Sequence, residues 1–269
     1  MILGRRRRRV VITESDGPGR TLAARVAEGG LDPLLWPVVA HGPATDQAPL
    51  VAALARLPEY DWVAFTSARA VDAVCACAGW IRWPRSAAER PRVAAVGPVT
   101  SAALVARAVP VALCPKHPGA LALAQAMVED EGGSLAGRTV LWPKSNLARA
   151  DLGDALRAAG ARVVEPVSYC TTAVRPPDLA DVLQDLEEGH IDCVAFFSPS
   201  GAANLAALLP DGTLSALAGR TVVASVGPTT SAALAGLGAP AAIEAESRTA
   251  GGLAAALLSY FGSHLGNLP

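Results

Sequence analysis

The chain has 269 residues, 51% of them hydrophobic and 17% charged, with a formal net charge of -1. That composition supplies a core and excludes a disordered chain, and the near-neutral balance offers no global field to recruit nucleic acid or an anionic membrane. No stretch runs about 18 residues without charges or turn formers, as a membrane span would require.

In chain order, a basic run at Arg5–Arg9 comes first. A secretory signal needs an apolar segment after such charges, whereas Glu14 and Asp16 follow at once, so the run reads as a solvated lead-in. Val10–Thr13 is then a strand and Gly19–Glu28 a helix. Trp62–Thr66 leads to a helix at Ala68–Ala78, and Val93–Val96 to one at Thr100–Ala108. Val140–Pro143 precedes a helix at Leu147–Ala159. Val194–Ser198 precedes Gly201–Leu209, and Val222–Val226 precedes Thr230–Leu237. Short apolar runs suit parallel strands buried on both faces. Their alternation with Ala/Leu-rich helices predicts a doubly wound α/β fold with parallel sheets.

The elements also repeat. "VGPVTSAAL" from Val96 returns as "VGPTTSAAL" from Val226, and "DWVAFTSARAVDAV" from Asp61 returns as "DCVAFFSPSGAANL" from Asp192. A weaker pair joins the segment from Arg8 to the one from Gly137. The order is therefore a, b, a′, b′, and two similar domains built by internal duplication are expected.

Right-handed crossovers put all strand-to-helix loops on the carboxyl edge of a sheet, where such folds bind ligands. Those loops read Thr13–Gly19, Thr66–Ala70, Gly97–Ser101, Pro143–Arg149, Ser198–Ala202 and Gly227–Ser231. Each carries Ser or Thr at or near the helix start. Taken singly, such residues cap helices. Taken together they make edges dense in main-chain N–H groups, hydroxyls and positive dipole ends, suited to an anion with several negative groups. No GxGxxG or GxxxxGK[ST] pattern occurs in them, so a nucleotide is not expected. Cys75, Cys77, Cys114, Cys170 and Cys193 form no CxxC, and His41, His117, His190 and His264 are scattered. A metal is not expected, and unpaired thiols fit a reducing cytoplasm.

The motifs "VAFTSARAV", "AAVGPVTSAAL", "LRAAGARVVEPVSYCTT", "FFSPSGAANL" and "SVGPTTSAALAGLG", in this order, resemble those of the uroporphyrinogen-III synthases. The resemblance implies two α/β domains joined by a two-stranded linker, opening and closing around a cleft. The first would hold residues 1–40 and 173–269, the second 41–172, with crossing strands near Leu34–Gly42 and Val164–Thr172. It implies a substrate, hydroxymethylbilane, which loses water and closes with inversion of its last ring to uroporphyrinogen III, without cofactor or metal. A cytoplasmic monomer with no nucleic-acid or membrane partner is expected.

By the same resemblance Tyr169 is the catalytic candidate, since a phenol can hand a proton to a departing hydroxyl. Its alternative role is packing at a strand end with the hydroxyl hydrogen-bonded. Thr13, Ser67, Ala68, Gly97, Thr100, Lys144, Ser145, Ser198, Ser200, Gly201, Gly227 and Thr230 are carried over as substrate contacts, mostly through the main chain. Lys144 and Arg149 could pair with substrate carboxylates. Glu14 departs from the family, which often has Arg after the first-strand Thr. It keeps open an inactive, synthase-like two-lobed protein that binds a polycarboxylate.

Overall fold

The computed structural model describes residues 6–77, 83–86, 88–210 and 213–263. Arg5, Ala78 and His264 lie outside the described residues. The chain begins with β1 (Arg9–Ile12), α1 (Gly17–Glu28), β2 (Asp32–Leu35) and β3 (Val39–Pro43). Next come α2 (Ala48–Ala55), β4 (Trp62–Phe65), α3 (Ala68–Cys77), β5 (Arg92–Ala95), α4 (Pro98–Val105) and α5 (Ala120–Asp130). Then follow β6 (Thr139–Leu141), β7 (Lys144–Ser145), α6 (Asp151–Ala158), β8 (Arg162–Val164), β9 (Val167–Ala173) and α7 (Leu179–Glu187). The chain closes with β10 (Cys193–Phe196), α8 (Pro199–Leu208), α9 (Thr213–Ala218), β11 (Val222–Ser225), α10 (Pro228–Gly236), β12 (Ile243–Glu244) and α11 (Ala250–Ser263). Proline stands in the first turn of α1, α4, α8 and α10. There its missing N–H costs nothing and its fixed φ already suits the helix.

The chain divides into two units, Met1–Ala40 with Thr172–Pro269, and His41–Thr171. It passes between them in β3 and in β9, which are neighbours in a three-stranded sheet of order β3-β9-β7. The short third strand, β7, adds to the two crossing strands expected from the sequence. Leu34 and Leu35 belong to β2 in the first unit's main sheet, and Val164 ends β8, so both crossing strands start later than expected.

In the first unit the strand order is β12-β11-β10-β1-β2, parallel throughout. The second unit runs β5-β4-β6-β8, also parallel, with Leu113 bridging to Ala94 beyond β5. The registers correspond: Val10 faces Cys193 in one unit as Val140 faces Trp62 in the other. One arrangement is thus threaded twice from different starting strands, which is how an a, b, a′, b′ chain builds two like units. Each sheet reverses direction of progress at one place, between β10 and β1 or between β4 and β6. Ligands of open α/β sheets bind outside the carboxyl ends of the strands at such a point.

Alternation along the central strands builds two cores per unit. Val11 packs with Leu186, Leu205 and Leu234, while Val10 and Ile12 pack with Leu22, Val26 and Leu257. In the second unit Val63 and Phe65 meet Leu54, Val71 and Leu104, while Trp62 and Ala64 meet Leu123, Met127 and Leu156. The basic lead-in is more tied down than expected. Arg8 bonds Asp192 at 2.7 Å, and Arg9 bonds Asp32 at 3.2 Å and Asp185 at 3.0 Å. Among the described residues no helix is long and apolar enough to cross a membrane.

Candidate functional site

In the second unit β4 runs out at Phe65, and Thr66 and Ser67 turn the chain into α3. The Ser67 hydroxyl accepts the Ala70 N–H at 3.1 Å, capping that helix. The same oxygen lies 3.2 Å from the hydroxyl of Tyr169, brought up by β9. The Tyr169 ring is half-buried against the Phe65 and Leu141 core and meets the His41 ring edge-on at 6.3 Å. Its backbone is held as well. The Asn146 N–H donates to the Tyr169 carbonyl at 3.2 Å, and the Asn146 side chain accepts from the Thr171 N–H at 2.8 Å. Beside it the Trp142 indole N–H donates to Thr66 Oγ1 at 3.2 Å, tying the ends of β4 and β6 together at the reversal point. At the carboxyl edge the phenol thus packs its ring on the core and pairs its hydroxyl with Ser67 Oγ, the packing arrangement that the sequence left open beside the catalytic one.

Lys144 and Ser145 are placed differently from expectation. They form β7, which pairs with β9, and the next helix begins only at Asp151, so these two residues do not open a helix. Two polar residues here complete the β9 edge, and the Ser145 hydroxyl caps the turn at Leu147 N–H (3.2 Å). The Lys144 ammonium is 2.6 Å from Glu165 and 5.2 Å from the Trp142 ring centre. Its charge is already matched, and Arg149 is paired with Asp151 at 3.0 Å. Partial burial pushes the Glu165 carboxyl up, but hydrogen bonds from Lys144 and Arg157 outweigh it and leave it below its ordinary value. Such a depressed group stabilises the fold above the unfolded-state value of about 4.3, and that stabilisation is lost as pH falls through the folded-state value. Glu165→Gln is therefore expected to be less stable than the wild type at pH 7, with a narrower gap at pH 3. Urea midpoints at the two pH values measure this; a gap unchanged at low pH would show that the ion pair contributes nothing.

Elsewhere in this unit Gly97 caps α4 in extended backbone, and Thr100 is buried. Ala68 opens α3.

The first unit has the corresponding edge. Thr13 is buried, and both its N–H (3.1 Å) and its hydroxyl (2.9 Å) donate to the Ala195 carbonyl. Ser198 caps α8 by accepting the Gly201 N–H at 3.1 Å and touches the Ser200 hydroxyl at 3.0 Å. A Cβ on Gly201 would stand 3.4 Å from Ser198 Oγ and 3.6 Å from Thr13 Oγ1, so these three expected contacts do converge. Gly227 caps α10, and Thr230 is buried beneath its first turn. Thr13, Thr100 and Thr230 are 1–4% exposed, so they present little of either side chain or backbone at the edges, and the Thr13 and Thr230 N–H groups are bonded to Ala195 and Gly227. Glu14 is 3% exposed, so its carboxylate is turned away from solvent rather than displayed.

One residue escaped the sequence reading. A Cβ on Gly227 would meet Arg248 Cγ at 3.1 Å, which places this arginine's stem against the start of α10. Aligning the two halves could have found it, since Pro118 holds the same place over Gly97. The five cysteines are free, and burial pushes the Cys193 thiol far up, making it inert at neutral pH.

A family model described as uroporphyrinogen-III synthase HemD matches residues 20–255. The chain is 28% identical over 262 residues to a uroporphyrinogen-III synthase of Synechococcus elongatus, covering 92% of this chain and 93% of that protein. It is 31% identical over 153 residues to that of Chlorobaculum parvum, covering 56% and 58%. Among solved structures, a mutant uroporphyrinogen III synthase from the extremely thermophilic bacterium Thermus thermophilus matches with a TM-score of 0.69 at 18% identity, over 97% of this chain and all of that one. The Helicobacter pylori enzyme matches at 0.55 and 14%, over 94% and 99%. At such identities the structural likeness speaks for the fold.

Proposed function

The chain belongs to the uroporphyrinogen-III synthase family, and from that membership we propose which of its residues carry the family's reaction. The family cyclises hydroxymethylbilane in tetrapyrrole biosynthesis, and this chain is an enzyme of that kind. Tyr169 is the general acid. Its proton passes to the terminal hydroxyl as the carbon–oxygen bond breaks, water departs, and the pyrrole nitrogen's electron pair stabilises the azafulvene cation left behind. Attack of the far ring's substituted carbon gives the spiro intermediate; the older bond from that carbon to its methylene bridge then breaks to a second azafulvene cation, which the ring's unsubstituted carbon attacks, closing the inverted ring. The proton released on rearomatisation returns to the phenolate, so the enzyme ends as it began. The observation that carries this reading is the Tyr169 hydroxyl held 3.2 Å from Ser67 Oγ at the end of β4.

The acetate and propionate arms need donors rather than acids. The starts of α3, α4, α8 and α10 offer main-chain N–H groups with the positive end of each helix dipole. Ser67, Ala68, Ser198 and Ser200 are proposed as the half-buried contacts at these helix starts, with Gly97, Thr100, Gly201, Gly227 and Thr230 buried behind them and Thr13 and Ser145 as neighbours. Arg248 adds a cation beside α10 that Lys144, already paired with Glu165, does not. The working form we propose is a cofactor-free cytoplasmic monomer without nucleic-acid partners, in keeping with near-neutral charge and free thiols. Incubating the protein with hydroxymethylbilane and resolving the products by chromatography tests the activity: the type III isomer is expected. Type I alone, as in the spontaneous reaction, would overturn it.

A further inference from the structure

The two units differ at the opposite, amino edge of their sheets. In the first, Arg9 stands opposite Asp32 in the β1–β2 register, and its guanidinium fills the edge by bonding Asp32 and Asp185. In the second, Thr139 takes the place of Arg9 and Arg162 the place of Asp32. The equivalence holds in the backbone too, since the Asp192 N–H donates to the Arg9 carbonyl as the Asp61 N–H donates to that of Thr139. A short side chain thus replaces a long one, and a cation replaces the anion.

What remains is a cavity of about 230 Å3, below the range of roughly 300–1,000 Å3 of drug-sized pockets. Arg162 reaches it with no carboxylate at ion-pair distance among the described residues. Arg56 also lines it, forked onto Glu59 at 2.6–3.1 Å, so two guanidiniums face one carboxylate. Tyr60, in the place of Ile191, is 6% exposed and lines the same space. Among the described residues its hydroxyl has no hydrogen-bond partner. No buried side-chain oxygen among the described residues is left without a partner, so this hydroxyl meets open space and can donate to an anion in the cavity. Burial pushes this phenol up, which keeps it a donor at neutral pH. The remaining wall is apolar, formed by Ala52, Ala53 and Val164.

We propose that this cavity binds a small monocarboxylate. Its two oxygens sit on the Arg162 guanidinium with a further bond from the Tyr60 hydroxyl, and its short hydrocarbon body lies against Ala52, Ala53 and Val164. The site is separate from the catalytic edge, because Thr139 and Arg162 begin the strands whose other ends approach Trp142 and Glu165.

The test is titration of the full chain with butyrate, followed by ligand-observed NMR, with inorganic phosphate as a second probe. Butyrate is expected to bind with a dissociation constant of roughly 1–10 mM. Arg162→Gln is expected to weaken it about tenfold or more and Tyr60→Phe severalfold. The double variant Thr139→Arg with Arg162→Asp recreates the first unit's Arg9–Asp32 pair and is expected to abolish binding with the fold intact by circular dichroism. Phosphate, lacking a hydrocarbon body, is expected to bind more weakly. Absence of butyrate binding, binding indifferent to Arg162→Gln or to the refilled cavity, or phosphate binding tighter than butyrate would each overturn the proposal. None of these readouts depends on turnover of hydroxymethylbilane.

Discussion

Tyr169→Phe is expected to lower turnover by roughly 100- to 10,000-fold with KM little changed, the span that a positioned general acid contributes. The substitution keeps the ring against Phe65 and Leu141 and its edge contact with His41, and removes only the oxygen beside Ser67. Because packing is preserved, a loss of rate without a loss of folding isolates the proton. The spontaneous closure would then compete, so the type I isomer is expected to rise in the product mixture. Ser67→Ala gives the scale for comparison. It removes one neutral hydrogen bond to Tyr169, worth about 0.5–1.5 kcal/mol, and so is expected to slow turnover about two- to twelvefold. It also removes the α3 cap, at about 1 kcal/mol of stability. Initial rates and isomer ratios for both variants, beside Thr230→Ala, decide the matter. Near-full rate in Tyr169→Phe would make Tyr169 a packing residue and leave the proton to bound water.

Gly19→Ala is expected to destabilise the first unit by about 3 kcal/mol or more, the upper end of the usual cost of overfilling a packed site. A Cβ there would lie 1.9 Å from the Glu14 carbonyl oxygen and 2.6 Å from its carbon. Both neighbours are backbone, so no rotamer change relieves the overlap. The loop from Thr13 to α1 has to move, taking with it the end of β1 that Thr13 ties to Ala195. For a chain of this size that corresponds to roughly 6–12 °C in the melting midpoint. Gly236→Ala is the control, since a Cβ in that helix meets nothing within 4 Å. It is expected to gain about 0.5–1 kcal/mol from the reduced freedom of the unfolded chain and better helix propensity. Thermal melts of the two variants check both signs; equal midpoints would show that the α1 turn yields easily.

Much of the fold was legible locally. A short apolar strand followed by Pro and an Ala/Leu-rich helix declares itself locally, as at Val222–Gly236, and the duplicated motifs then give the pattern of two like sheets. The capping roles of Ser67 and Ser198 were equally local, because a cap and the amide it accepts lie three residues apart. The Lys144–Ser145 strand was not legible: its two residues have no strand periodicity, and only β9, more than twenty positions on, turns them into one. For the same reason the sequence offered Lys144 as a free cation, since Glu165 becomes its partner only when β6 and β8 align. Arg248 gained its place from the crossover that lays the chain after β12 over Gly227. Ser67 and Tyr169 are 102 positions apart, and no spacing rule links them. Their contact exists because β9 delivers the phenol to the end of β4. Residue types and local turns were set by the sequence alone. Which hydroxyl meets which phenol, and which charge is already neutralised, was decided by the packing of distant strands, since hydrogen bonds and ion pairs act over a few ångströms of space rather than of sequence.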